Sequence, residues 1–309
     1  IGMVTDAKTM DPVLIGDLYS HIAASLVFEG LYEYHYLKRP MELIPSLAEA
    51  LPEVSKDGLT YTIKIKKGLK FADSKVFSDG KGREIKAKDF VYSWMRVADP
   101  KATSEAFWIF DNQIVGLNEW RETQKGKEKT DFEALPDGFK AVDDYTLQIK
   151  LKRKYPQLLY ALAMPAGYVV PREAVDALGK DFGNTPVGSG PYKLVSWSRG
   201  SKIAYEKNSN WRGQTYPAEG EVGDAEKGLL ADAGKTLPFA DKVEYFPLIE
   251  SQPRWLNFMR GALDFVGIPK DNFSSAIDPA TGDLKGDLSG KGIRLQKVPQ
   301  MDLTYIAFN

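Results

Sequence analysis

Apolar and polar residues alternate along Tyr61-Thr62-Ile63-Lys64-Ile65-Lys66, placing Tyr61, Ile63 and Ile65 on one face and Thr62, Lys64 and Lys66 on the other. This pattern predicts a half-buried antiparallel strand. The same alternation runs through Thr146-Leu147-Gln148-Ile149-Lys150-Leu151-Lys152, just after the turn-forming pair Asp143-Asp144. A shorter and weaker version is Lys202-Ile203-Ala204-Tyr205-Glu206. Between these, Ala87 to Val97 carries Phe90, Val91, Trp94 and Val97 at three- and four-residue spacing and stops at Asp99-Pro100, which predicts an amphipathic helix. The class is mixed α and β, an α/β or α+β arrangement.

Residues 213–238 carry no such period. Glycine recurs there beside Pro217, Pro238 and the acids Glu219, Glu221, Asp224 and Glu226, which predicts a surface loop or insertion. The acids lack the D-x-D-x-D-G loop and closing Glu that would converge oxygens on calcium.

Composition narrows the class. A chain of 309 residues, 43% hydrophobic and 12% aromatic, is long enough to bury a large core. Basic and acidic side chains balance at 41 to 42, with a pI near 6.3, so there is no electrostatic footprint for nucleic acid. Lys64, Lys66, Lys67 and Lys70 lie on alternating sequence and predict a solvated strand face. Cysteine is absent, which removes disulfides, thiolate metal sites and thiol nucleophiles together. No run reaches the roughly 18 apolar residues of a membrane span.

Catalytic machinery is not visible. The imidazoles are His21 and His35, and neither has the HExxH partner of a zinc site. Ser189 stands in Gly188-Ser189-Gly190-Pro191, one glycine short of G-x-S-x-G and followed by a proline that obstructs a strand-to-helix elbow. A tight turn is the simpler reading. Glycine-rich phosphate loops are missing, and Asp143-Asp144 suits a turn better than acid and base. No cofactor and no metal is expected.

Four separated segments resemble one family. The first is Met10-Asp11-Pro12 followed by Val27-Phe28-Glu29-Gly30-Leu31-Tyr32. The second runs from Pro45, Leu47-Ala48-Glu49 and Asp57-Gly58-Leu59-Thr60-Tyr61-Thr62 through Lys67-Gly68-Leu69-Lys70-Phe71 and Asp79-Gly80 to Lys88-Asp89-Phe90-Val91-Tyr92-Ser93. The third is Pro186-Val187-Gly188-Ser189-Gly190-Pro191-Tyr192-Lys193-Leu194, with Trp197 and Asn208 to Trp211 beyond. The fourth is Arg260-Gly261-Ala262-Leu263-Asp264-Phe265. Together they resemble the peptide, dipeptide and nickel class of extracellular solute-binding proteins, family 5. Ser189 stands where Thr is commoner, Ser209-Asn210-Trp211 departs from the usual tail, and Ala262 replaces an acid.

The resemblance implies a periplasmic binding protein-like class II fold, a two-lobed clamp that closes on its solute by a hinge motion. Residues 1–43 and 166–309 would form the base of lobe one, with 44–165 as its extra subdomain. Tyr305-Ile306-Ala307-Phe308-Asn309 resembles the sequence just before the crossing to lobe two, so a second lobe and a returning segment are expected to be missing. The implied role is the extracytoplasmic component of an ABC importer, periplasmic or anchored at the cell surface. It would be a monomer that delivers a peptide or similar solute to a membrane permease, and not an enzyme.

The residues implied to face the solute are Glu29, Gly30 and Leu31, beside which a peptide would lie as an added strand, with Gly30 permitting close approach of ligand backbone. Glu29-Gly30 could equally cap a helix starting near Leu18. Phe107 and Trp108 lie where relatives turn an aromatic toward the cleft, and Gly188, Ser189, Gly190 and Tyr192 form a turn near the interlobe face in relatives, both with packing as the simpler role. Asp11 would hold a local turn. The solute could instead be a metal chelate, an oligosaccharide or an antibiotic. Outside the family, a carboxylate-based hydrolase would show two unpaired acids about 5 to 9 Å apart in a cleft, and an adhesion protein a flat aromatic patch.

Overall fold

The alternation at Tyr61 becomes the strand Thr60–Lys64, central in a four-stranded antiparallel sheet with the order Glu53–Val54, Thr60–Lys64, Thr146–Lys150, Phe139–Asp143. Ile63 lies opposite Leu147, and Tyr61 opposite Ile149, which in turn faces Phe139. Ile63, Leu147, Ile149 and Phe139 are buried, so register and burial agree. The helix Ala87–Ala98 packs against the strand Phe139–Asp143 of this sheet. Its Trp94 ring lies 5.3 Å from Phe139 and 6.4 Å from Phe110, and Phe110 meets Phe139 edge-on at 5.5 Å. Burying each of the three Phe rings Phe90, Phe110 and Phe139 contributes roughly 2–3 kcal/mol. The helix starts where the Asp89 carboxylate accepts the Lys86 N–H at 2.9 Å, one half of a capping box, while Arg83 grips the same carboxylate with two bonds of 2.8 Å.

The computed structural model describes residues 1–297, and two compact units divide the chain: Thr5–Pro247, and Ile1–Val4 with the chain from Leu248 onward. The motif Tyr305 to Asn309 lies outside the described residues. Within the larger unit a second antiparallel sheet has the order Lys242–Pro247, Lys202–Lys207, Tyr192–Ser198. The weak alternation at Lys202 is therefore a central strand. Its buried Tyr205 donates its hydroxyl to the Ala23 carbonyl at 3.1 Å, at the end of the helix Leu18–Ala24. Residues 213–238 lie mostly at the surface, as turns tied by a short ladder and internal bonds. Gln214–Thr215 pairs with Thr236–Leu237, Tyr216 bonds the Leu229 carbonyl at 2.8 Å, and the buried Asp224 accepts the Glu221 N–H at 2.8 Å.

The smaller unit holds the helix Ser251–Met259 over a core of Trp255, Ala276, Ile277 and Leu288. In the fourth family segment Gly261, at φ +77°, terminates that helix with its N–H on the Phe258 carbonyl at 2.8 Å. No helix among the described residues is long and apolar enough to cross a membrane.

Candidate functional site

The first three family-like segments converge around residues 27–31. Gly190 N–H donates to the Val27 carbonyl at 2.7 Å, and a Cβ on Gly190 would lie 2.6 Å from the Val27 carbonyl carbon, so this turn needs glycine to reach the neighbouring chain. Asn208 donates to the Gly190 carbonyl at 2.9 Å, and Asn210 to the Phe71 carbonyl at 2.9 Å and to Asp73 at 2.7 Å. Asp11 accepts the Val13 N–H at 3.2 Å, the turn expected of it, and also takes a two-bond ion pair from Arg96 at 3.0 and 2.7 Å.

Glu29 is only 9% exposed. Its carboxylate pairs with the Arg212 guanidinium and accepts the Trp211 indole N–H at 3.1 Å. Arg212 continues to the Ser46 hydroxyl at 3.2 Å, and Lys66 donates to the Ser46 carbonyl at 2.7 Å. Burial pushes the Glu29 carboxyl up, opposed by Arg212 and Trp211. Burial, then Arg212, pulls the Lys66 ammonium down. Lys66 is thus drawn out of the solvated lysine face, whereas Lys64, Lys67 and Lys70 are exposed.

The segment Glu29–Leu31 is not an open strand edge. The Glu29 carbonyl accepts from Val169 N at 3.0 Å, that of Gly30 from Leu47 N at 3.2 Å, and that of Leu31 from Ser46 N and Ala48 N at 2.9 and 3.1 Å. A Cβ on Gly30 would lie 2.9 Å from the Leu162 carbonyl oxygen. The close approach expected of a ligand backbone is therefore made by the protein's own chain. Glu29-Gly30 is also no helix cap, because the helix Leu18–Ala24 closes at Ser25. Leu31 is fully buried.

A hollow of about 340 Å³ opens beside this segment, walled by Phe28, Glu29, Gly30, Tyr34, Tyr168 and Trp211 among others. His21 and Met164 also line a second hollow of about 310 Å³, whose other walls include Ile15, Gly16, Asp17, Leu18, Glu105 and Trp108. His21 Nε2 is 3.3 Å from the Tyr168 hydroxyl, and burial pulls its pKa down, which keeps it neutral at pH 7. Larger hollows of about 520, 620 and 350 Å³ lie elsewhere, one at Asp73 and Arg199, one at Arg39 and Tyr160, and one at Arg83 and Tyr92.

Of the predicted site residues, the structure brings Glu29, Gly30 and Trp108 to the rims of these adjoining hollows. Trp108 is 59% exposed. Phe107 points elsewhere, with the Arg121 guanidinium 4.2 Å over its ring. Ser189 is 3% exposed and its hydroxyl has no partner, while Tyr192 donates to the Ala240 carbonyl at 2.9 Å. Ser189 and Gly190 are thus packed against Leu26–Phe28 and not in a wall. Sequence reasoning missed Ile15 and Gly16. Ile15 and Asp17 have extended backbone, and neither Ile15 nor Gly16 has a backbone hydrogen bond to any described residue. The backbone groups of this short stretch are open to a partner in a way that those of Glu29–Leu31 are not.

No group of three or more His, Asp or Glu side chains among the described residues could hold a metal ion. Asp143 is occupied by the Tyr145 N–H at 2.8 Å and Asp144 lies 3.4 Å from Lys86.

The larger unit is thus a mixed sheet-and-helix structure whose adjoining surface hollows lie beside the unpaired backbone of Ile15 and Gly16. Residues 42–309 match the middle region of the bacterial extracellular solute-binding proteins, family 5, and the chain belongs to that family. It is similar to the dipeptide-binding protein of Lactococcus lactis subsp. cremoris, 32% identical over 195 residues, which is 62% of this chain and 32% of that protein. It is also similar to the glutathione-binding protein GsiB of Escherichia coli K12, 29% identical over 100% of this chain and 48% of that protein. Among solved structures, the substrate-binding domain of an oligopeptide ABC transporter from Bacillus anthracis superposes with a TM-score of 0.67 at 26% identity, over 89% of this chain and 46% of that one. The chain spans less than half the length of each.

Proposed function

We propose that this chain supplies one ligand-bearing wall of an extracytoplasmic solute-binding protein that captures peptides or similar small solutes for an ABC importer. The observation that carries the reading is the unpaired extended stretch Ile15–Gly16 at the edge of a hollow rimmed by the exposed Trp108. A peptide backbone laid along Ile15–Gly16 would satisfy amides that otherwise face water, and Trp108 would cover one side chain. Glu29, Gly30 and Leu31 form the floor behind this wall, and the Glu29–Arg212 pair holds the floor in place. Relatives named for a dipeptide and for glutathione support a short peptide over a metal chelate or an oligosaccharide.

The reading includes a 44–165 subdomain on the lobe-one base, a monomeric carrier, a membrane permease as partner, and a location in the periplasm or at the cell surface. It makes the protein a carrier and not an enzyme: binding is completed by closure of a second wall, and no bond is made or broken. Thermal unfolding of the full-length protein across di-, tri- and longer peptides tests it. A ligand at 100 times its Kd raises stability by about 2.7 kcal/mol, a readily visible rise in Tm. A flat response to every peptide, together with a rise for a sugar or a chelated metal, would remove the peptide assignment.

A further inference from the structure

The hollow at Ile15–Gly16 is electrically one-sided. Its ionisable lining groups are Asp17, His21 and Glu105, with no Lys or Arg among them. Asp17 is already committed. Burial would raise its carboxyl, but the N–H and hydroxyl of Ser20, with Lys8 and the Tyr19 N–H, hold it below the usual range as the cap of the helix Leu18–Ala24. His21 is half-buried, and burial pulls its pKa down. Glu105 has no hydrogen-bonded or ion-paired cation among the described residues, unlike Asp11 with Arg96, Glu29 with Arg212 and Glu119 with Lys152.

Its position is set by Gly16. A side chain at 16 would overlap the Glu105 carboxylate, so glycine lets that carboxylate lie directly against the unpaired backbone edge. Trp108 follows three residues later, one turn along the 3₁₀ segment Glu105–Ile109, which brings carboxylate and exposed indole to the same side. A carboxylate, an indole and an apolar neighbour, Leu18, lining one hollow are the chemistry that would suit a cation carried on an apolar stem.

Building on the proposed solute-binding reading, we infer that this hollow selects solutes bearing an ammonium group, received by Glu105 and covered by Trp108. The ammonium comes either from a peptide's amino terminus or from a lysine side chain. Glu105 is partly open to water, so the expected preference is modest, roughly tenfold in Kd, the range of a charge-assisted hydrogen bond that keeps some solvent.

The test is calorimetric titration of the full-length protein with tripeptides that carry lysine or the uncharged norleucine at one position, each with a free or an acetylated amino terminus. The inference expects one of these changes to weaken binding roughly tenfold, and expects the difference to disappear in Glu105→Gln while the uncharged peptide binds as before. Loss on acetylation assigns the ammonium to the terminus; loss on norleucine assigns it to the side chain. Gly16→Ala should reproduce the loss by displacing the carboxylate, and Trp108→Leu should weaken the cationic peptide more than its uncharged counterpart. If peptides bind and a charge preference is absent, or survives unchanged in Glu105→Gln, the inference is overturned while the peptide reading stands. If no peptide binds wild type at all, the inference falls together with the reading beneath it.

Discussion

Replacing Arg212 by Met keeps much of the side chain's length and removes the guanidinium that neutralises Glu29. Both side chains are about nine-tenths buried, at 12% and 9% exposure, and the carboxylate would retain only the Trp211 indole at 3.1 Å. Breaking a buried pair by removing one partner costs about 3–5 kcal/mol. A ceiling applies, because the stranded carboxyl can take a proton instead. From its ordinary pKa of 4.5, neutralisation at pH 7 costs about 3.4 kcal/mol, at about 1.36 kcal/mol per pH unit. The expected deficit is therefore about 3 kcal/mol at pH 7. The sign of its pH dependence follows from burial raising this group in the folded state: between the unfolded and folded pKa values the native protein binds more protons, so stability falls as pH rises. Without Arg212 that window extends upward, and the deficit should shrink by roughly 2 kcal/mol or more between pH 7 and pH 5. Urea unfolding of wild type and Arg212→Met at both pH values measures it. A deficit below about 1 kcal/mol at pH 7, or one of equal size at pH 5, would contradict the assignment of Arg212 as the counter-ion of a buried Glu29.

Other expectations rest on separate features. Gly30→Ala places a Cβ 2.9 Å from the Leu162 carbonyl oxygen and should lower stability by about 1–3 kcal/mol; an unchanged Tm would mean the backbone there yields freely. Arg96→Met strands the buried Asp11 carboxylate and should cost about 3 kcal/mol in urea unfolding, whereas a surface-like loss under about 0.5 kcal/mol would contradict the pair's role. Ser189→Ala removes a buried hydroxyl without a partner and should be neutral or stabilising by up to about 1 kcal/mol, and a clear loss would reveal a partner, such as a bridging water. Phe139→Ala opens the aromatic core beside Trp94 and should cost about 3–5 kcal/mol, read with a red-shifted tryptophan emission.

Local patterns carried much of the fold. The alternation at Tyr61 and Leu147 gave strands that pair with each other, with Ile63 opposite Leu147 and both buried. The helix at Ala87 was legible from its apolar stripe and from Asp99-Pro100. What escaped was long-range or too short for a period. Arg212 lies 183 residues from Glu29, so nothing near either residue announced the pair, and Lys66 read as solvated because its acceptor, the Ser46 carbonyl, belongs to another segment. The two-residue ladder inside 213–238 was hidden by glycines that suit turns. Phe107 and Trp108 differ by one residue in a 3₁₀ segment, about a third of a turn, and sequence could not choose which ring faces the hollow. Ile15–Gly16 left no trace because the need for glycine at 16 comes from Glu105, far along the chain, while Glu-Gly-Leu stood out as a motif although its carbonyls are all taken.

The central claim is that a solute lies along Ile15–Gly16 under Trp108. Amide hydrogen exchange of the full-length protein, with and without a saturating peptide, tests it most directly. The account predicts new protection of the Ile15 and Gly16 amides and of the segment around Glu105–Trp108, with little change in strands Thr60–Lys64 and Thr146–Lys150. Protection confined to other parts of the described chain, with Ile15 and Gly16 exchanging as fast as in the free protein, would contradict it.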